Sequence, residues 1–256
     1  MSIGDSMKIC KFSKLKNGQY KILLEDDTFF IVHEELILKY DLLIQKKISL
    51  IEKEKIMEEN GLYIAYDMAL KYLTKKMRCE YEVCEYLRKQ NVDNIFIDNV
   101  IEKLKGQGYL SEESFVRAYY LDRINFSSIG PKKIENELVS LNISKDVIER
   151  CKNLFTSTLE IERIEKIVKR MVKSNRTKSE FLLKRKIQDY LLNNGYSLDL
   201  ILDVLKNIEV SNSSSIQKKE YDKIYRKLSR KYSGKELEYK IKQKMYALGF
   251  KNDVDE

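Results

Sequence analysis

Residues 186–205 read KIQDYLLNNGYSLDLILDVL, and this stretch contains the pattern that decides the fold. Ile187 and Leu191 lie one helical turn apart, and Gly195 and Tyr196 follow them. A helix commonly ends in a residue of left-handed conformation, for which glycine has no steric penalty and asparagine a small one. The stretch therefore predicts a helix that ends near Gly195 and a second apolar helix that begins near Leu198.

The same helix ending occurs four times along the chain. In each copy an apolar anchor is followed four positions later by Asn or Gly and then by an apolar residue: Leu87/Asn91/Val92, Leu138/Asn142/Ile143, Leu191/Gly195/Tyr196 and Met245/Gly249/Phe250. One turn before the anchors stand Val83, Ile134, Ile187 and Ile241. Successive anchors are 51, 53 and 54 residues apart. Such regular spacing indicates tandem structural repeats.

Helix-start signals precede these endings. Thr177–Glu180 and Ser233–Glu236 have the sequence of capping boxes, Pro131 suits a first helical position, and Cys79 is a weaker cap. Apolar residues at helical spacing lie before each start, and they follow the first three endings. We expect three-helix modules of about fifty residues, the fourth without its last helix, in an elongated curved array.

The N-terminal region has a different periodicity. KICKFSKLK and QYKILLE alternate apolar with polar residues around Asn17-Gly18, a pair typical of a type I′ turn, and TFFIVH follows Asp26-Asp27. This pattern over residues 8–40 predicts a three-stranded meander, with a charged helix from about Leu50. The expected fold is mainly α with a small β-rich N-terminal domain. The predicted domains are residues 1–60, repeats at 61–110, 111–157 and 158–210, and a partial basic repeat at 211–256.

Composition excludes several classes of protein. The 256 residues include 9 Gly and 1 Pro, few for turn-rich β or Rossmann folds, and 43% apolar residues, many for a disordered chain. No apolar run approaches the roughly 18 residues of a membrane helix, and the start MSIGDSMKI lacks signal-peptide features. We expect a cytoplasmic protein without membrane association.

Catalytic apparatus is not recognisable in the sequence. The single histidine, His33, lies in a predicted strand, and the four cysteines suit reduced core or cap positions better than disulfides or zinc. A phosphate-binding loop is missing, and Gly106 to Gly108 lack the context of a dinucleotide site. We expect a protein that is not an enzyme and needs no cofactor.

The positive charge is concentrated near the C-terminus. Residues 1–60 have a net charge of −1, residues 61–155 of +1, and residues 156–256 of +8. One-sided charge on an extended array attracts a phosphate backbone or an acidic protein surface, whereas any single lysine is more simply explained as a solvated side chain. The predicted contact residues are Lys132, Lys133, Lys184, Arg185, Lys186, Lys240, Lys242 and Lys244.

These turns and caps resemble the RecX family of RecA regulators. GYLSEESFVRAYYLDR at 108–123 and GPKKIENEL at 130–138 resemble its most specific segments, and residues 75–87 and 186–205 its opening and closing repeats. The resemblance covers roughly residues 62–250, and residues 1–60 look like the N-terminal extension of longer members. Cys79 stands where the family usually has Ser, and a fourth repeat exceeds the three of short members.

The resemblance implies a non-enzymatic, monomeric protein that binds the RecA nucleoprotein filament. Family members inhibit strand exchange, ATP hydrolysis and coprotease activity, and some contact single- or double-stranded DNA. The alternative is an independent DNA-binding protein that uses its repeats as helix-turn-helix readers. The helices that would serve as recognition helices lack a repeated Arg, Asn or Gln set at base-reading spacing, which favours the filament.

Overall fold

A computed structural model describes residues 6–16, 18–175, 179–208 and 213–250. The chain divides into two compact units, residues 1–115 and 116–256, and each is described by itself. Within the described residues there are four strands and thirteen α-helices, so the prediction of a mainly α fold with a β-rich N-terminal region is confirmed.

The N-terminal sheet is antiparallel, with strand order β3-β2-β1-β4. Its strands are β1 (Ser6–Lys14), β2 (Gln19–Leu24), β3 (Phe29–His33) and β4 (Lys47–Ser49). The first three confirm the predicted meander; β4, three residues long, is an addition, and Asn17 of the expected turn lies outside the described residues. Helix α1 (Glu34–Lys39) replaces the end of the β structure expected up to residue 40, and helix α2 (Leu42–Gln45) follows it. The core of this region contains Ile22, Leu24, Val32, Leu36 and Ile48.

Helix α3 (Leu50–Leu73) begins at the expected place and continues without a break past Gly61. Ser49 caps it through a capping box with Glu52. Gly61 lies inside the helix because the Phe96 ring packs there: a Cβ at residue 61 would stand 2.6 Å from that ring. The periodicity change near residue 61 thus falls inside one continuous helix, at the point where that helix contacts Phe96.

Repeat 1 uses the second half of α3 together with α4 (Glu80–Lys89) and α5 (Asn94–Gly106). Apolar positions of all three helices meet in one cluster: Ala65, Ala69, Val83, Leu87, Ile97, Val100, Ile101, Leu104 and Leu110. Val83 and Leu87 are among the positions at helical spacing that predict the module.

The second unit contains the later repeats. Repeat 2 consists of α6 (Glu112–Phe126), which begins in the first unit, α7 (Pro131–Ser140) and α8 (Lys145–Cys151), followed by a 3-10 turn. Repeat 3 consists of α9 (Ser157–Ser174), α10 (Glu180–Asn193) and α11 (Leu198–Lys206). Repeat 4 consists of α12 (Ser213–Leu228) and α13 (Gly234–Ala247). The predicted sets of helices are confirmed.

The four predicted helix endings have the same geometry. Asn91, Asn142, Gly195 and Gly249 all adopt positive φ, at 59°, 61°, 83° and 81°. The N–H groups of Val92, Ile143, Tyr196 and Phe250 donate to the carbonyls of Leu87, Leu138, Leu191 and Met245 at 3.1–3.2 Å. This six-to-one bond identifies Schellman caps.

The predicted helix starts are partly correct. Pro131 is the first residue of α7, and the Cys79 N–H donates to the Glu82 carboxylate at 3.2 Å. Thr177 lies outside the described residues, and Ser179 is the residue that caps α10. Ser233 is the N-cap of α13, but its side chain makes no capping hydrogen bond, so the box predicted there is wrong. The next residue, Gly234, has a φ of 56°. The spacing of residues in the sequence does not predict this backbone conformation.

Candidate polyanion-binding surface

The middle helices of repeats 2 and 3 meet end to end. The Gly130 N–H, at the start of α7, donates to the carbonyl of Asn194 at the end of α10 over 2.7 Å. The Lys132 N–H donates to the Gly195 carbonyl at 3.1 Å. A Cβ on Gly195 would lie 2.4 Å from the Lys133 backbone nitrogen, so the two helix ends are in direct contact. The carbonyls that end α10 therefore satisfy N–H groups that begin α7.

The middle helices of repeats 3 and 4 form the same joint. The Ser179 hydroxyl, at the N-cap of α10, donates to the carbonyl of Leu248 at the C-cap of α13. A Cβ on Gly249 would lie 2.3 Å from Cβ of Phe181. Ser179 corresponds to Gly130, and Leu248 to Asn194. Helices α13, α10 and α7 thus form a row, named here the middle-helix row.

The half-buried Arg163 and the buried Tyr196 hold the first joint in place. The Arg163 guanidinium on α9 donates to the carbonyls of Ser127, at 3.0 Å, and Ile129, at 3.2 Å, and also to that of Ile124. The Tyr196 hydroxyl donates to the Ser128 carbonyl at 3.1 Å. Burial raises the pKa of this phenol, which keeps the hydroxyl protonated as a donor. The segment that leads into α7 is therefore fixed to repeat 3.

A second buried anchor connects helices within repeat 3. Glu160, only 5% exposed on α9, accepts a 2.7 Å hydrogen bond from the Ser197 N–H just before α11. A carboxylate at this helix start satisfies an N–H that has no partner inside the helix. This hydrogen bond therefore links the first helix of repeat 3 to the start of its third helix.

The predicted basic cluster on α10 contains three unlike side chains. Lys184 is half-buried and forms a 2.7 Å ion pair with Glu180. Lys186 is exposed and donates to the Asn175 side chain at 2.8 Å. Arg185 is exposed, and no ion pair involves it within the described part of the chain. Of these three side chains, Arg185 therefore has the charge most available to a partner.

The other predicted residues lie on the two neighbouring helices of the row. On α13, Lys240 is half-buried, and Lys242 and Lys244 are exposed in its second half. On α7, Lys132 is exposed and Lys133 half-buried in the first turn, next to the C-terminal end of α10. Cations are favourable near helix C-termini because the last carbonyls carry partial negative charge. All eight predicted residues thus lie on the middle-helix row, in three groups.

Helix α12 carries a basic surface that the eight predicted contact residues do not include. A surface depression of about 630 Å³ is lined by Lys219, Asp222, Lys223, Arg226, Lys227 and Arg230. The spacing of four between Lys219, Lys223 and Lys227 is the signal that finds it. Tyr221 and Tyr225 are exposed on the same helix, with ring centroids 6.3 Å apart.

The described residues contain no group of three or more His, Cys, Asp or Glu side chains arranged to hold a metal ion. His33 ends β3, and its ring is hydrogen-bonded to Asp67 at 3.1 Å and stacked on Tyr63. It thus has structural partners, in agreement with its prediction as a strand residue. Among the described helices, none is long and apolar enough to cross a membrane.

Comparison with known proteins agrees with this architecture. A family model described as "RecX, first three-helix domain" matches residues 65–104, which lie in repeat 1. The Regulatory protein RecX of Listeria innocua is 26% identical over 97% of this chain and 94% of its own length. That of Bacillus cytotoxicus is 28% identical over 88% of this chain and 84% of its own.

A solved structure gives the corresponding result for the fold. The chain named "Crystal structure of regulatory protein RecX" superposes with a TM-score of 0.67 at 24% identity. It covers 79% of this chain and 100% of its own. The resemblance noted in the sequence is therefore confirmed: the chain is similar to the RecX regulatory proteins in sequence, and to a RecX crystal structure in fold.

Proposed function

We propose that the protein binds the RecA nucleoprotein filament and inhibits strand exchange, ATP hydrolysis and coprotease activity without catalysing a reaction. The observation that carries this proposal is the middle-helix row, which bears basic groups at three successive positions in one compact unit. A filament repeats its charged surface along its axis, so several weak contacts on one ligand add through effective concentration.

The dimensions of the row suit a repetitive partner. Helix α10 has 14 residues and is about 21 Å long. This length separates the basic residues of α13, at one end of α10, from those of α7 at the other. Exposed ion pairs contribute only about 0.2–1 kcal/mol each. Affinity must therefore come from the sum of these groups, and inhibition follows because a bound ligand shifts the filament away from its active states. The protein would act as a monomer, in the cytoplasm.

A charge-reversal variant tests the proposal. The test variant is Arg185→Glu, Lys186→Glu, Lys242→Glu and Lys244→Glu. The matched control, of equal charge change, is Lys145→Glu, Lys166→Glu, Arg170→Glu and Lys173→Glu. All eight positions are exposed in the second unit, which leaves the core of both proteins intact.

The measurement is inhibition of RecA ATPase on preassembled filaments, together with filament length. The unaltered protein should inhibit, and the test variant should need at least about tenfold more protein because several contacts are lost. The control should stay within about twofold. If the test variant inhibits normally, the row is not the contact surface; if the unaltered protein does not inhibit, the proposed function is wrong.

DNA binding without RecA is the second candidate, and the basic depression on α12 is the observation that favours it. The two candidates differ in the protein concentrations at which ATPase inhibition and binding of bare DNA occur. A filament ligand inhibits the ATPase well below the concentration that saturates bare DNA. Equal concentrations for the two effects would instead support DNA binding as the primary activity.

A further inference from the structure

The N-terminal sheet has one face that its own helices leave exposed. Its buried face contains Ile22, Leu24, Phe30 and Val32, which pack into the core. The opposite face follows from the strand register, in which Lys11 pairs with Leu23 and Leu23 with Phe29, while Ser13 pairs with Lys21 and Lys21 with Ile31. We name these six residues the outer sheet face.

Charge on this part of the sheet is one-sided. Residues 6–24 include the five lysines Lys8, Lys11, Lys14, Lys16 and Lys21, and they include neither Asp nor Glu. Residues 1–60 as a whole have a net charge of −1, and apart from Asp5 their acidic residues lie in the turn at 25–27 and in the region of the helices. Five of the ten lysines of residues 1–60 therefore lie on β1, β2 and their hairpin with no acidic residue among them.

An aromatic ring lies among these charges. Phe29 is 53% exposed, although a phenylalanine on a small protein is normally buried. The Lys21 ammonium lies over its ring, 3.7 Å from the centroid. The half-buried Leu23 pairs with Phe29 in the register, and the half-buried Ile31 pairs with Lys21. The face thus combines an aromatic ring with a cation that lies on it.

This combination discriminates among polyanions. Single-stranded nucleic acids have exposed bases that stack on aromatic rings and phosphates that pair with lysines. In a duplex the base faces are covered by their neighbours, so the ring would gain nothing. An acidic peptide would satisfy the lysines but has no base to stack on Phe29.

We propose that the outer sheet face binds a single-stranded nucleic acid, with a base stacked on Phe29 in place of the Lys21 ammonium and with phosphates at Lys11 and Lys21. DNA and RNA share this chemistry. The site is separate from the middle-helix row, and the inference does not depend on RecA. It gives the β extension a nucleic-acid contact of its own.

The absence of tryptophan from the sequence makes a local test feasible. Phe29→Trp places a single fluorophore on the face, and a base that stacks on it will quench its emission. The control is Phe126→Trp, which puts the fluorophore on α6 at a side chain that is 85% exposed. The probes are oligo-dT and oligo-U, which test DNA and RNA separately, with an abasic oligomer of equal length and poly-glutamate as comparisons.

The expected result is saturable quenching of the Phe29→Trp variant by oligo-dT or oligo-U, absent with the abasic oligomer and poly-glutamate and absent in the Phe126→Trp control. Adding Lys11→Gln and Lys21→Gln should weaken binding by about tenfold at low salt. The same change at the exposed Lys71 and Lys75 should have less than a twofold effect. Circular dichroism verifies that each variant folds.

Three outcomes would overturn the proposal. The first is unchanged emission from the Phe29→Trp variant when anisotropy shows that the labelled oligomer is bound, because binding then occurs elsewhere. The second is an equal response to the abasic oligomer or to poly-glutamate, which would make the face a general anion surface. In the protein without tryptophan, Phe29→Leu keeps an apolar side chain, and unchanged affinity there would also exclude stacking.

Discussion

At the scale of single residues, two different requirements can place glycine at a left-handed cap: a positive φ, and a lack of space for a Cβ. The sequence alone does not distinguish them. Asn91 and Asn142 show that asparagine adopts the φ these caps need. Gly195 adopts a similar φ and also lies against the start of α7, where a Cβ would be 2.4 Å from a backbone nitrogen. Contact with repeat 2, and not backbone conformation alone, therefore requires glycine at residue 195.

Gly195→Asn tests this distinction against Gly108→Asn. Gly108 has φ 76° and no atom within 4 Å of an added Cβ, so asparagine there costs less than about 1 kcal/mol. At Gly195 the side chain must displace α7, which should lower the free energy of unfolding by about 1–3 kcal/mol more. Urea unfolding measures both values. Equal losses would show that the joint between repeats does not restrict residue 195.

At the scale of secondary-structure elements, Asn60 explains how α3 covers the edge strand β3. Asn60 is 3% exposed; its side-chain oxygen accepts from the His33 N–H at 2.9 Å, and its amide nitrogen donates to the Ile31 carbonyl at 2.8 Å. An uncovered edge strand would offer these groups to another chain. The Asn60 side chain therefore makes two of the hydrogen bonds that a neighbouring strand would otherwise make with β3.

Asn60→Ala should lower the free energy of unfolding by about 1–3 kcal/mol, because two buried backbone groups lose their partners. Hydrogen exchange of the His33 amide should accelerate as well. The matched control is Asn99→Ala, where an exposed side chain donates to Ile95 of its own helix and the change should stay within about 0.5 kcal/mol. Unchanged protection of the His33 amide would contradict the edge-covering role.

At the scale of the whole molecule, charge is distributed unevenly along the chain. The last 101 residues, 156–256, carry the net +8, while the lysines of β1 and β2 form a separate basic region in a segment that is slightly acidic overall. Polyanion binding releases counterions, so affinity should fall with salt in proportion to the number of contacts.

Raising the salt from 50 to 200 mM should therefore weaken binding of the full chain to RecA filaments by about tenfold or more. Equilibrium binding of labelled filaments across a salt series measures the slope. The charge-reversed variant at Arg185, Lys186, Lys242 and Lys244 should show a shallower slope. An affinity that does not change with salt would mean that apolar contacts, rather than the basic groups, dominate the interaction.

Sequence patterns were reliable where local backbone chemistry decides the structure. The anchors, left-handed caps and apolar stripes predict four helix endings and the helices beside them, because each depends on residues within about two turns. The eight predicted basic residues could be assigned to helices but not to their partners: only the structure shows that Lys184 is paired with Glu180 while Arg185 is exposed.

By itself, the sequence determined the kind of module, its number of copies and the location of the charge, because helix caps and apolar spacing are local properties of the chain. The tertiary structure decided what joins the modules: contacts such as Gly130 to Asn194 and Ser179 to Leu248 connect residues 64 and 69 positions apart. It also decided that Asn60 covers β3 and that Phe29 stays exposed. Such outcomes depend on which surfaces meet in space, and no local pattern specifies that.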